Sequence, residues 1–126
     1  MRIPRILVTA LLPLVALAAK KSPGDRFQDY HAKQVSSLAP IKVDDVSYNQ
    51  LTKTPRDYAV AVLLTALDMK FGCSLCHEFQ PEWDLLAKSW TKGNKQGESR
   101  LVYATLDFTD GKQTFQSVCL QANIMG

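Results

Sequence analysis

The chain has 126 residues, 46% of them hydrophobic and 21% charged, with a formal net charge of +3. That suits one domain, is too short for two, and is too apolar for a wholly disordered chain. Removing residues 1–18 leaves 13 Lys plus Arg against 12 Asp plus Glu, so no basic stripe supports a nucleic-acid partner.

The N-terminus reads as a secretory signal peptide. Arg2 and Arg5 supply the positive start, Ile6 to Ala19 an apolar run interrupted by Pro13, and Ala16-Leu17-Ala18 a small-x-small cleavage site with the cut after Ala18. The run is shorter than the roughly 20 apolar residues of a membrane helix; an uncleaved N-terminal anchor is the alternative. No later stretch is apolar enough to span a bilayer. The expected organisation is a signal peptide over 1–18, a flexible leader over 19–24 and a folded domain over 25–126. The mature chain is bound for a compartment where disulfides persist.

Along the domain, Phe27, Tyr30, Val35 and Leu38 recur at helix-compatible positions, predicting a helix over Asp25 to Leu38. Pro40 to Val43 is a short strand. Asp44 or Asp45 caps a helix running to Leu51, and Thr54-Pro55-Arg56 marks a turn. The run YAVAVLLTAL, Tyr58 to Leu67, is nearly all apolar, as a strand covered on both faces is. A helix follows over Ser74 to Thr91, with Phe79, Trp83, Leu86, Ala87 and Trp90 on one inward face. Lys92 to Ser99 is a polar loop, and Leu101 to Phe108 a second buried strand. After an Asp-Gly turn a last helix turns Phe115 and Val118 inward, with Cys119 on it as a small buried hydrophobe. Strands alternating with helices imply a parallel sheet in an α/β layer fold.

The chemistry concentrates in Cys73-Ser74-Leu75-Cys76-His77. Its C-x-x-C-H spacing fits covalent haem attachment, and its C-x-x-C core fits a dithiol that opens and closes as a disulfide. Haem needs a second axial ligand and a pocket, and beyond Met69 and Met125 nothing in the flanks supplies one. A structural zinc needs about four ligands, and only Cys73, Cys76, Cys119, His31 and His77 are present. A purely structural disulfide stays open, although so small a loop adds little through chain entropy. Placement favours exchange chemistry. Cys73 lies between a strand and a helix start, where unpaired N–H groups and the helix dipole favour thiolate. Cys76, one turn on, suits the resolving thiol. Asp68 could accept a proton from Cys76 but reads more simply as a loop carboxylate, and His77 as a solvated first-turn residue. Trp83 and Trp90 read as core. Pro81 falls inside the helix, five residues after Cys76, and kinks it, as a proline at that offset does in thioredoxin-like proteins.

Pro55-Arg56-Asp57-Tyr58, Gly72-Cys73 through Cys76, Pro81-Glu82-Trp83 and Leu106-Asp107-Phe108 together resemble the lumenal thioredoxin-like domain of the oxidoreductase (gamma) subunit of eukaryotic oligosaccharyltransferase. Animal relatives of that subunit are also described as magnesium-transport proteins. The similar run covers about Leu38 to Gln116. The resemblance implies a thioredoxin-like α/β fold in the endoplasmic reticulum lumen, with Cys73 and Cys76 as catalytic pair and disulfide. Cys73 would form a transient mixed disulfide with nascent polypeptides that carry cysteines near glycosylation sites, and Cys76 would release them. The domain itself would transfer no glycan, and no cofactor or metal is implied. Other transferase subunits are the implied partners of a full-length chain. Family members continue past the segment matching Gln116 into a cis-proline stretch, a hairpin, a helix and membrane spans. Here the sequence reads SVCLQANIMG, so the C-terminal strands and helix are expected to be missing and one sheet edge open. A non-catalytic peptide-binding module with a structural disulfide, and a generic secretory-pathway thiol oxidoreductase, are the alternatives.

Overall fold

The computed structural model describes residues 23–125, as four helices, one short 3-10 turn and a three-stranded sheet. The expected signal peptide over 1–18 and the leader up to Ser22 lie outside the described residues. The elements are α1 (Pro23–Ser37), β1 (Ile41–Val43), α2 (Asp45–Thr52), β2 (Ala59–Thr65), α3 (Ser74–Gly93), β3 (Leu101–Asp107) and α4 (Lys112–Met125). Their order is the predicted one.

Local chemistry sets the boundaries. Leu38, at φ +53°, takes the left-handed conformation that ends α1, and its N–H donates to Gln34 O at 2.8 Å. Asp44 caps α2 through a reciprocal pair: Ser47 N–H donates to its carboxylate at 2.8 Å, and Asp44 N–H donates to Ser47 Oγ at 2.8 Å. Two backbone N–H groups at that end are thereby satisfied. Gly111 joins β3 to α4 where nothing larger fits, because a Cβ there would lie 2.5–2.7 Å from three atoms of the Leu106 side chain.

All three strands are parallel, in the order β1-β3-β2. Val62 pairs with Ala104 and Thr65 with Asp107, while Ile41 meets Ala104 from the other side. The period of two along a strand sorts residues onto the two faces. Val102, Ala104 and Leu106, with Val60, Val62 and Leu64, join Phe27 of α1, Leu51 of α2 and Phe115 of α4 in the main core. On the opposite face Tyr103 packs edge-on against Trp83 and Trp90 of α3, and Trp83 Nε1–H donates to Thr105 Oγ1 at 3.0 Å. The fold is therefore a sheet between α1, α2 and α4 on one side and α3 on the other, an α/β arrangement consistent with a thioredoxin-like fold.

Three expectations are corrected. β2 pairs only with β3 and is an edge strand among the described residues, so its side chains are mostly half-buried; its sequence is apolar enough for a central strand, but one flank carries no neighbour. Phe79 and Leu86 of α3 are 46% and 49% exposed, whereas Trp83 and Trp90 of the same helix pack on Tyr103 of β3. Cys119 is exposed, one turn past Phe115 on α4, where a neighbour on the same helix face does not bury it.

At the N-terminal ends of β2 and β3 the Pro55-Arg56-Asp57-Tyr58 motif is a structural tie. Tyr58 Oη–H donates to Leu51 O at 2.7 Å, Arg56 holds the carbonyls of Thr52 and Tyr58, and Arg100 pairs with Asp57 at 2.9 Å. His31, weighed as a zinc ligand in the sequence, stacks on Phe27 in α1, with Nε2 3.0 Å from Lys95 O.

A dithiol at the N-terminus of the third helix

The site forms where β2 hands over to α3. Beyond Thr65 the chain passes Asp68, whose carboxylate accepts from Lys70 N–H at 3.0 Å and caps a 3-10 turn over Met69–Phe71. That bond, chiefly, and the nearby Lys70 ammonium hold the Asp68 carboxyl below its ordinary range. Asp68 is thus a loop cap. Gly72 then takes φ +60°, and its N–H closes the turn on Met69 O at 3.1 Å. Only a residue without Cβ enters this conformation freely, and the reversal delivers Cys73 to the cap position of α3.

Cys73 and Cys76 form a disulfide, with Cα atoms 5.3 Å apart. Both are half-buried. Cys76 N–H donates to Cys73 Sγ at 3.2 Å. One of the orphan N–H groups of the helix start is therefore directed at the sulfur, together with the positive end of the helix dipole. When the pair is open, both favour Cys73 as thiolate, the nucleophilic form. Pro81 lies inside α3, where it removes the bond to the carbonyl of His77.

Two shallow clefts flank the sulfurs. One, of about 430 Å³, runs along Met69, Gly72, Cys73, Ser74, His77 and Glu78. The other, of about 210 Å³, is apolar and lies among Leu63, Leu64, Leu75, Phe79 and both cysteines. Cys73 borders both clefts and Cys76 one, so Cys73 is the sulfur a ligand can approach from two sides. His77 is exposed and lines the first cleft. Leu75, 71% exposed, and Phe79 give the second an apolar wall.

The Leu106-Asp107-Phe108 motif supports this loop from β3. Asp107 accepts from Leu67 N–H at 3.0 Å and from Thr109 N–H at 2.9 Å, so one carboxylate ties the β2–α3 loop to the β3–α4 loop. Burial pushes its carboxyl up, but these two bonds outweigh burial and leave it lowered. Phe108 stacks edge-on between Phe71 and Phe115, at 5.1 and 5.3 Å, and extends the link to α4. Among the described residues no three His, Cys, Asp or Glu converge as a metal site. No helix among them is long and apolar enough to cross a membrane.

Of the residues singled out in the sequence, Cys73 and Cys76 are joined and His77 lines a cleft with Cys73, whereas Asp68 lines a separate groove and Pro81 borders neither cleft. Sequence reasoning missed Thr65 and Gln80, which border the site with buried polar atoms that lack partners. The available signals were slight: Thr65 is the one Ser or Thr in the apolar run of β2, and Gln80 stands four residues after Cys76.

The family described as OST3/OST6, transporter family, matches residues 28–123. The dolichyl-diphosphooligosaccharide–protein glycosyltransferase subunit MAGT1 of Danio rerio is 31% identical over 83 residues, 65% of this chain and 25% of its own length. The mouse subunit of that name is 34% identical over 77 residues, covering 60% of this chain and 23% of its own length. Subunit 3 of the Saccharomyces cerevisiae transferase is 30% identical over 78 residues, covering 61% and 22%. The chain spans about a quarter of the length of these curated relatives.

Proposed function

Because the chain belongs to the OST3/OST6 family, whose members are oligosaccharyltransferase subunits in N-linked glycosylation, we propose that it serves that transferase in the endoplasmic reticulum lumen by capturing cysteine-bearing polypeptides at its dithiol. The observation that carries the reading is the Cys73–Cys76 disulfide at the start of α3, with a helix N–H on Cys73 Sγ and clefts on two sides of it.

In this reading a client thiolate attacks Cys73 Sγ in line with the disulfide. The Cys73–Cys76 bond breaks, Cys76 leaves as thiolate, and the client is held as a mixed disulfide. Release is the reverse displacement: the Cys76 thiolate attacks Cys73 Sγ, the intramolecular bond re-forms and the client thiolate departs. The cycle consumes no oxidant or reductant and returns the client unchanged, which suits a device that only delays local folding beside a glycosylation site. The helix N-terminus lowers the energy of the thiolate states, and the apolar wall of Leu75 and Phe79 holds the flanking chain. Other subunits of the transferase are the partners this reading implies.

The test is trapping. In a Cys76→Ser chain the Cys73 thiolate attacks a client disulfide, displaces one client sulfur, and has no neighbour to resolve the adduct. Mixed disulfides through Cys73 should accumulate on non-reducing gels of lumenal extracts and vanish in Cys73→Ser. A wild-type reduction potential below about −300 mV, where structural disulfides lie, together with no adducts would leave a peptide-binding module with an inert bond.

A further inference from the structure

A third, larger groove of about 550 Å³ opens at the C-terminal ends of the strands, beside the dithiol clefts. Four carboxylates line it: Asp68, Asp84 of α3, Asp107 and Asp110. Lys42 is the one cationic residue in the lining, and Lys70 pairs with Asp68 from outside at 3.4 Å, so negative charge stays in excess. The groove also holds two unsatisfied buried atoms, Thr65 Oγ1 and Gln80 Oε1. Thr65 is 2% exposed. Gln80 uses its amide N–H on Asp84 at 3.0 Å, which leaves its carbonyl oxygen facing no donor. Buried acceptors without donors are uncommon in folded proteins, and here they accompany surplus negative charge.

The chemistry of the occupant follows. No three carboxylates converge on a point among the described residues, so a compact metal ion is poorly served. A guanidinium is broad and planar, with five donors in a rigid fork, and can reach acceptors that a point charge cannot share. Its methylene stem would lie on Pro40 and Val43 at the apolar side of the groove. Thr65 lines both this groove and the apolar cleft at Cys73 and Cys76, so the two are contiguous.

We infer that the acidic groove receives an arginine side chain of the polypeptide held at the dithiol, so that clients with an arginine close to the reacting cysteine are captured preferentially. The inference rests on the dithiol reading above, but the groove is tested apart from it.

Titrate the ¹⁵N-labelled chain with argininamide and, separately, with citrullinamide, which differs only in having an uncharged side chain of the same shape. Argininamide should shift the amide resonances of Thr65 and Gln80 and citrullinamide should not. An Asp84→Asn/Asp110→Asn chain should bind argininamide about tenfold more weakly, as loss of two partly exposed charge contacts implies. Should that variant fail to fold, about 0.5 M NaCl reads the same charge dependence on the wild type. Equal response to both amides, response to neither, or displacement of argininamide by equimolar Mg²⁺ overturns the groove assignment. For the client class, compare Cys76→Ser capture of two disulfide peptides that differ only in Arg against citrulline beside the cysteine. Faster capture of the Arg peptide, abolished in the Asp84→Asn/Asp110→Asn background, supports the inference. Equal rates overturn it even where argininamide binds. Capture of neither peptide sinks the dithiol reading and the client preference with it, while the argininamide titration still decides what the groove binds.

Discussion

Asp45 shows how much one half-buried carboxylate can organise. It stands in the first turn of α2, yet its oxygens accept from Thr114 Oγ1 at 2.7 Å, Thr114 N–H at 2.8 Å and Gln113 N–H at 3.4 Å, across the start of α4. The Thr114 hydroxyl, foremost, and those N–H groups lower its carboxyl below the ordinary 3.8; Asp44 is lowered by the Ser47 N–H and hydroxyl. A carboxyl lowered on folding stabilises the fold above its unfolded value, and that contribution is lost as pH falls through the folded value. Acid titration should therefore loosen α2 and α4 below about pH 4, seen as lost helical circular dichroism, and Asp45→Asn should blunt that loss while lowering the melting temperature at neutral pH. Gly111 is constrained by space. Its missing Cβ would press on Leu106, which is fully buried, so Gly111→Ala should cost about 1–3 kcal/mol, read as a lower urea midpoint at unchanged slope.

Helices and strands were readable because their causes are local. The Asp44 cap, the spacing of Phe27 and Tyr30 along α1, and the approach to Cys73 all declare themselves within a few residues. The status of β2 did not, because YAVAVLLTAL reports how apolar a strand is and not who stands beside it. The same gap explains Phe79 and Leu86, whose helical spacing matches the Trp83 face although both stay about half exposed. Cys119 misled because cysteine is usually buried, and helical spacing puts it on the face of Phe115, but that spacing does not say how far along α4 the core extends. The dithiol's position was legible; Thr65 and Gln80 were not, since an unmet hydrogen bond exists only in three dimensions. An uncharged edge strand with apolar neighbours also has a consequence of its own. The chain should self-associate with rising concentration, and Leu75→Glu should shift light scattering toward the monomer while leaving the far-ultraviolet spectrum unchanged.

Across the molecule, the chemistry gathers at one end of the sheet and a set of arginine and tyrosine ties at the other. The dithiol, its clefts and the acidic groove gather where the strands finish; the Arg56, Tyr58 and Arg100 ties gather where they start. Arg100 pairs with Asp57 and lies 4.3 Å over the Phe27 ring, so Arg100→Ala should cost about 1 kcal/mol from the two contacts together. Adduct formation by Cys76→Ser should be unaffected in that background, because no cleft at the dithiol includes Arg100; a parallel loss of both would mean that the two ends are coupled.

The exposed sulfur on α4 sets the stoichiometry of any labelling experiment. With Cys73 and Cys76 joined and Cys119 open to solvent, the folded chain offers a maleimide one equivalent, and full reduction raises that to three. Cys119 thus serves as an internal standard: its labelling calibrates protein and reagent in the same tube, and half the increment above it counts how many molecules had the Cys73–Cys76 bond open at the moment of quenching.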